Sequence, residues 1–270
     1  MDLGLKNKVA IITGTNNPQG IGAATAFAIA GEGVRLALVY KKIPHKYDEA
    51  KTKVDGLDRY WKNNNGDMAE VEERLRALNA DYLVLENDIS NEQSVMEIFD
   101  RVNGRFGKAD ILINNAAAAD DGENDRIETI TQSVIDDTFA VNVRGTVLMT
   151  REFIKRRGEY GRVINFSSDA AQNYHGHQIT YSASKAAIEA LTRNIAADVG
   201  KYGITVNCIA PGPTQTGWIG EGLKKDVLPQ IPLGKLIHPQ EIAETIVFLV
   251  SERAAMVTGQ VIKVSGGHEL

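Results

Sequence analysis

The sequence predicts an α/β fold, a doubly wound parallel sheet of about seven strands with helices on both faces, on three observations. Short β-branched apolar runs recur along the chain, stretches with helical periodicity separate them, and the first run leads straight into a glycine-rich turn and an alanine-rich helix. Val9–Thr13 is the first strand, followed by Gly14, then Gly20-Ile21-Gly22 and a small-residue helix over Ile21–Ala30. Arg35–Val39 is the second strand. After it, Lys41–Gly66 is long and polar and closes on Asn63-Asn64-Asn65-Gly66, a turn signal. Helical spacing over Met68–Asn79 leads to a third strand at Tyr82–Glu86, and Glu92–Phe106 leads to a fourth at Ile111–Ile113. One long helix is predicted over Thr131–Arg157, then a strand at Arg162–Phe166, a helix over Tyr181–Tyr202 and a strand at Thr205–Ile209. The helix Pro239–Val250 and the strand Val261–Val264 complete the alternation.

No linker or repeat divides the chain, so residues 1–270 are expected to form a single domain, with residues 211–238 as a substrate-loop region inside it. That region carries Trp218, Ile219, Leu223, Val227, Leu228 and Ile231. Loops of that length in a compact domain are commonly lids or binding loops. Two readings stand side by side: closure over an apolar ligand, or helices packed on a subunit neighbour.

The 270 residues are 43% apolar and 24% charged, with 30 basic against 35 acidic side chains and a net charge of −5. That balance argues against nucleic acid or an anionic membrane as the main partner. No run of about 18 apolar residues is present to span a bilayer, and the first residues lack the apolar stretch of a secretory signal. Cys208 is the sole cysteine, which excludes an internal disulfide and suits a reducing compartment. The expected location is cytoplasmic. Cys208 lies in the apolar run Ile204–Ala210 and reads as a packed core thiol. The last residues, Gly-His-Glu-Leu, only half match a retention signal and are read as coincidence.

Two groups of residues carry chemistry. Strand, glycine turn and helix, with Gly14, Gly20, Ile21 and Gly22, present free backbone N–H groups and a positive helix end to a pyrophosphate. Tyr181 and Lys185 sit one helical turn apart on one face. A nearby ammonium favours phenolate and is expected to lower the tyrosine pKa from about 10, suiting it to exchange a proton with an alkoxide.

Thr13-Gly14, Gly20-Ile21-Gly22, Asn114-Asn115-Ala116, Asn142, Ser168, Tyr181, Lys185 and Pro211-Gly212 stand in the order and spacing of the short-chain dehydrogenase/reductase family. The chain resembles its classical branch, and the 3-oxoacyl-carrier-protein reductase type most, from Val9 to Gly267. It departs in three places. Five residues, Thr15 to Gln19, separate the first two motif glycines, more than the family uses, so the loop is expected to bulge. Ala117 stands where the family has glycine, and Lys41–Gly66 is longer than usual.

The resemblance implies a catalytic set of Asn142, Ser168, Tyr181 and Lys185. The serine would bind the substrate oxygen, the tyrosine transfer the proton, the lysine tune the tyrosine and hold the nicotinamide ribose, and the asparagine support a water through its helix. Ser168 precedes Tyr181 by thirteen residues, whereas Ser167, the adjacent rival, precedes it by fourteen. Asp88 would contact the adenine, Asn115 line the cleft, and Pro211, Gly212, Thr214 and Thr216 lie near the nicotinamide. Asp88 reads equally as a helix N-cap. Tyr40 stands where an NAD enzyme carries an acid, with Lys41 and Lys42 after it, so NADP is expected over NAD. No arginine clamp is evident, and Gln19 occupies a position that is basic in many NADP-dependent relatives.

The implied function is hydride transfer between NADP(H) and a small-molecule carbonyl or secondary alcohol, in a homotetramer joined through the long helices Thr131–Arg157 and Tyr181–Tyr202. The alternatives are enoyl reduction or isomerisation on the same scaffold, or an NADP(H)-binding regulator without turnover. His175-Gly-His177 lacks a third ligand for a metal, so none is expected. Asn173, Tyr174 and His175 are candidates for substrate contact, and Arg151, Lys155, Arg156 and Arg157 for a basic docking patch or a helix-dipole complement.

Overall fold

Val9, Ile11 and their alternates Ala10 and Ile12 are all buried, but they feed two different cores, one on each face of the strand. Burial on both faces is what continuous apolar strands of a parallel sheet require. In the computed structural model, which describes residues 2–119, 124–173 and 177–268, seven strands form one parallel sheet in the order β3-β2-β1-β4-β5-β6-β7. They are β1 (Val9–Thr13), β2 (Arg35–Tyr40), β3 (Tyr82–Glu86), β4 (Ile111–Asn114), β5 (Arg162–Phe166), β6 (Thr205–Pro211) and β7 (Val261–Val264).

The order of strands reverses between β1 and β4. A crevice opens there at the carboxyl ends of the strands, the place where such sheets bind ligands. Helix α1 (Ile21–Gly31) covers one face, followed along the chain by α2 (Leu57–Asn65) and α3 (Ala69–Ala77). The other face is covered by α4 (Glu92–Phe106), by α5 (Gln132–Phe139) with its continuation α6 (Thr146–Lys155), and by α7 (Ile179–Val199). A short α8 (Glu221–Val227) precedes α9 (Pro239–Val250), which packs beside α1.

Two expectations change. The helix expected over Thr131–Arg157 is interrupted by a π-helical segment, Ala140–Gly145, between α5 and α6. The segment Lys41–Gly66, expected as a polar loop with a turn at its end, contains α2, and Gly66 caps that helix. In the region 211–238, Ile219 and Ile231 are buried in the core on the α1 face, while Leu233 stands 71% exposed. Most of that loop's apolar character is therefore spent within the chain, and α8 is its only α-helix among the described residues.

Candidate active site

β1 ends at Thr13, and Gly14 turns the chain with φ +72°, a region few side chains tolerate. A Cβ on Gly22 would lie 2.3 Å from the Gly14 carbonyl oxygen and 2.7 Å from Asn115 Nδ2, so only glycine lets α1 come this close to the strand. Gly20 caps α1 in an extended conformation without a side-chain hydrogen bond, and no acid stands in the first turn. The first N–H groups and the positive helix end are thus left for an anion, and the cradle fits a dinucleotide pyrophosphate. Asn115 donates to the Thr13 and Gly14 carbonyls at 2.8 and 2.9 Å, tying β4 to the cradle floor.

The extra residues of the glycine loop bulge toward α2 and are bonded to it. Asn16 Nδ2 donates to the Asn64 and Gly66 carbonyls at 2.8 and 3.2 Å. Asn63 Nδ2 donates to Asn17 Oδ1 and Gln19 Oε1, both at 3.1 Å. Asn17 Nδ2 in turn reaches the Thr216 carbonyl at 3.0 Å, and the Gly56 N–H donates to the Gly217 carbonyl at 2.8 Å. The long insertion and the long glycine loop are therefore two halves of one brace, which also grips the 211–238 region.

At the β2–β3 end of the crevice, Tyr40 is buried and its hydroxyl donates to Glu86 Oε2 at 3.0 Å. Burial first, and the carboxylate second, push the phenol up to about 12. Lys41 Nζ pairs with Asp88 Oδ2 at 2.6 Å. Burial raises the Asp88 carboxyl, but the bonds from Lys41 and Ser90 outweigh it and hold the group below its ordinary range. Asp88 accepts from the Ser90 N–H and hydroxyl at 2.8 and 2.6 Å. The N-cap of α4 is Asn91, not Asp88.

At the other end, β5 delivers Ser167 and Ser168, and the two serines part. Ser167 Oγ turns to Glu189 Oε1 and the Lys185 carbonyl, at 2.9 and 3.2 Å, against α7. Ser168 caps a 3₁₀ turn, and its hydroxyl offsets part of the rise that burial imposes on the Tyr181 phenol. Lys185 is 3% exposed, and its Nζ donates to the Phe166 carbonyl at 2.9 Å and lies 5.5 Å from the Tyr181 ring centroid. Desolvation lowers this ammonium to about 8, with a smaller opposing effect from Cys208.

Tyr181 does not show the expected lowering. Desolvation pushes its phenol up to about 12, against a smaller lowering effect of the Ser168 hydroxyl. The reason is geometric: Lys185 points its ammonium at a backbone carbonyl. Its remaining protons, with no protein acceptor among the described residues, suit ribose hydroxyls, which makes this the second feature that fits a nicotinamide nucleotide.

Asn142 sits in the π-helical segment, a distortion that recurs at functional sites. Its Oδ1 accepts the Ala118 N–H at 2.7 Å, and its Nδ2 donates to the Ala118 carbonyl and to Ser184 Oγ, both at 2.9 Å. Its own carbonyl accepts from the Thr146 hydroxyl at 2.8 Å. The asparagine thus clasps the segment after β4 to α7. Asp125 is a site residue the sequence did not reveal. Its buried carboxylate accepts the Thr180 and Tyr181 N–H groups at 2.8 and 3.2 Å, capping α7 where Tyr181 begins its first turn. Nothing local marks it, because its partners lie 55 and 56 residues away.

Pro211 ends β6, and the Gly212 N–H bonds Val264. Thr214 is buried, with its hydroxyl on the Gly212 carbonyl at 2.8 Å, while Thr216 meets the glycine loop through its backbone. Asn173 donates to the Asp169 carbonyl, and Tyr174 and His175 lie outside the described residues. No group that could hold a metal occurs among the described residues. Three of the four cations in the basic cluster at the end of α6 are ion-paired: Arg151 with Glu92, Arg156 with Asp100 at 2.5 Å, and Lys155 with Glu152. The fourth, Arg157, donates to the Ile154 carbonyl at 2.8 Å and lies over the Tyr202 ring. Burial pushes the Cys208 thiol up to about 12, as befits a core residue.

Comparison with known proteins agrees with this geometry. The family model described as enoyl-(acyl carrier protein) reductase matches residues 59–269. The chain is 33% identical to the hydroxy(phenyl)methylsuccinyl-CoA dehydrogenase subunit BbsD of Thauera aromatica, covering 99% of each chain. It is 31% identical to the chloroplastic NADPH-dependent aldehyde reductase 2 of Arabidopsis thaliana, over 97% of this chain and 94% of the relative. A double mutant of a Serratia marcescens short-chain dehydrogenase/reductase superposes with a TM-score of 0.82 at 25% identity, covering 98% and 99% of the two chains. The chain belongs to the short-chain dehydrogenase/reductase family of oxidoreductases, which work with nicotinamide cofactors. No helix among the described residues is long and apolar enough to cross a membrane.

Proposed function

We propose that the protein transfers hydride between NADP(H) and a carbonyl or secondary-alcohol substrate, with Tyr181 as proton donor and acceptor. The observation that carries this is the buried Lys185 ammonium 5.5 Å from the Tyr181 ring, with Ser168 at the end of β5, in a crevice that starts in a glycine cradle. The bound nicotinamide would supply the hydride. As the carbonyl carbon accepts it, negative charge grows on the oxygen, and the Ser168 hydroxyl turns its proton from Asp169 Oδ1 to that oxygen. The Tyr181 phenol then gives its proton to that oxygen. A phenol held near 12 is fully protonated at neutral pH, which suits this acid role. In the alcohol-oxidising direction the phenol must be brought down, and the Lys185 charge is the group one turn away to do it.

Tyr40 in place of an acid, with Lys41 beside it, supports NADP over NAD. Exposed Ile135 and Val147 on α5 and α6, with Ala183, Ala186 and Ala190 on the open face of α7, support assembly as a homotetramer through these helices. The −5 net charge supports small-molecule partners over nucleic acid, and a lone cysteine suits a reducing, cytoplasmic place.

NADPH oxidation against a panel of aldehydes, ketones and 3-oxo and 2-enoyl thioesters tests the reading. Turnover of carbonyls is expected, and Tyr181→Phe should cut it about 10³-fold while cofactor affinity stays within about threefold. Near-normal rates in that variant would remove Tyr181 as proton donor. Turnover confined to enoyl substrates would favour the reaction in the family model's description, and cofactor binding without any turnover would favour a regulator.

A further inference from the structure

Ser168 is not the end of its hydrogen-bond chain. Its Oγ donates to Asp169 Oδ1 at 3.2 Å and accepts from the Ala170 N–H at 3.2 Å. The other carboxylate oxygen, Asp169 Oδ2, lies 2.8 Å from His268 Nδ1. Asp169 and His268 are 8% and 6% exposed. A carboxylate taken out of water needs partners for its lone pairs, and the imidazole is one of them. Because the carboxylate can only accept, Nδ1 carries the hydrogen, whether the ring is neutral or charged.

The imidazole is brought 99 residues along the chain by a built turn. After β7, Gly266 and Gly267 take φ +63° and +87°. A Cβ on either would meet the 211–238 region, 2.8 Å from Ile231 Cγ2 at the first and 2.9 Å from Pro232 Cγ at the second. The turn is closed by the His268 N–H on the Ser265 carbonyl at 3.1 Å, and the Leu233 N–H bonds the Gly266 carbonyl at 3.1 Å. The same few residues thus hold the loop and present the histidine.

We propose that Asp169 and His268 are a positioning pair for Ser168, an inference that rests on the proposed role of that serine. The carboxylate sets the hydroxyl rotamer. The imidazole fixes the carboxylate and, by taking up part of its accepting strength, leaves the hydroxyl free to swing its proton to a substrate oxygen. Without the imidazole, Asp169 binds the Ser168 proton harder and loses its own orientation. Both changes weaken donation to the developing oxyanion and leave the cofactor cradle untouched.

A double-mutant cycle on the full chain tests this, with kcat, KM, cofactor Kd and Tm measured for each variant on the best carbonyl substrate. His268→Ala is expected to lower kcat about tenfold, with cofactor Kd and Tm little changed. His268→Asn, whose amide nitrogen falls near the Nδ1 position, should restore most of the rate. In a Ser168→Ala background, His268→Ala should have no further effect, because its route to the reaction is gone. Asp169→Asn, which gives the serine and the histidine one acceptor between them, should lower kcat as His268→Ala does, and it serves as the reporting variant if His268→Ala lowers Tm sharply. The proposal falls if the His268 and Ser168 effects multiply, if asparagine rescues no better than alanine, or if His268→Ala and Asp169→Asn leave kcat unchanged. A Ser168→Ala variant with near-normal rate has a different meaning: it would overturn the role of the serine itself.

Discussion

The two ends of the crevice solve opposite electrostatic problems. At the β5–α7 end, Lys185 and Asn142 are 3% and 1% exposed, and a network from Asn114 through Asn165 to Thr192 is fully buried, with bonds of 2.9 and 3.0 Å. At the β2–β3 end, the Lys41 and Asp88 side chains are 56% and 31% exposed, and their contact is a single ion pair. A charge in the first setting feels a low dielectric, so it shifts far and is held in one place. In the second, water screens it and lets it move. On the proposed function, the difference separates two properties: rate would depend on the buried end, and the choice between NADP and NAD on the exposed end.

The sharpest way to break this contrast is at Lys185. Lys185→Met should lower turnover about 10³-fold, since it removes a pre-placed charge beside the proton donor. It should also change how stability depends on pH. The folded pKa is about 8 against an ordinary 10.5, so folding resists protonation of this lysine. That penalty, on the order of 3 kcal/mol, is full below pH 8 and fades as pH rises toward 10.5. Cys208, raised from 9.0 to about 12, acts with the opposite sign above pH 9, and Tyr181 joins it above 10. Wild-type stability should therefore rise between pH 8 and 9, and urea titrations of Lys185→Met should show that rise removed. A slope that persists in the variant would locate the effect elsewhere.

The next effect is in the cradle that joins the two ends. Gly22→Ala places a methyl 2.3 Å from a carbonyl oxygen that belongs to the backbone and cannot swing aside. Moving the turn by even an ångström should weaken cofactor binding about 100-fold and cost about 1–3 kcal/mol of stability. Cofactor titration by nicotinamide fluorescence and a thermal melt read the two. Unchanged affinity would mean that the cradle does not hold the pyrophosphate.

Legibility in the sequence follows the same division. Periodic apolar runs located all seven strands within two residues; in the five inner strands, burial on both faces leaves little room for other patterns. The spacing of Ser168, Tyr181 and Lys185 is local and was readable. What was missed is held by distant partners. Helix α2 has few apolar residues and several asparagines, and the Asn63 amide is satisfied by the bulged glycine loop more than forty residues earlier. The π-helical break at Asn142 has no proline to announce it, and the asparagine at its centre is bonded to Ala118 and Ser184. Asp125 and His268 reach the site only because the chain returns there. A contact between residues far apart in sequence leaves no periodic trace.

The smallest predicted effect tests the exposed end. Lys41→Ala removes one arm of an exposed pair, so stability at pH 7 should change by no more than about 0.5 kcal/mol. Asp88 loses the partner that helps hold its carboxyl low. A carboxyl depressed in the folded state adds stability above its ordinary pKa and loses it as pH falls through the folded value, so the variant should lose stability less steeply on acidification below about pH 4. The selectivity should move more than the stability. An ammonium at the end of β2 attracts a charged 2′-phosphate far more strongly than a neutral 2′-hydroxyl. Affinity for NADP should therefore fall about tenfold while affinity for NAD and kcat at saturating cofactor hold, all read by cofactor titration and initial rates. Because Lys41 is already paired with Asp88 at 2.6 Å, a phosphate must compete with that carboxylate for it, which keeps the expected effect modest. Equal losses for both cofactors would place the 2′-position away from Lys41.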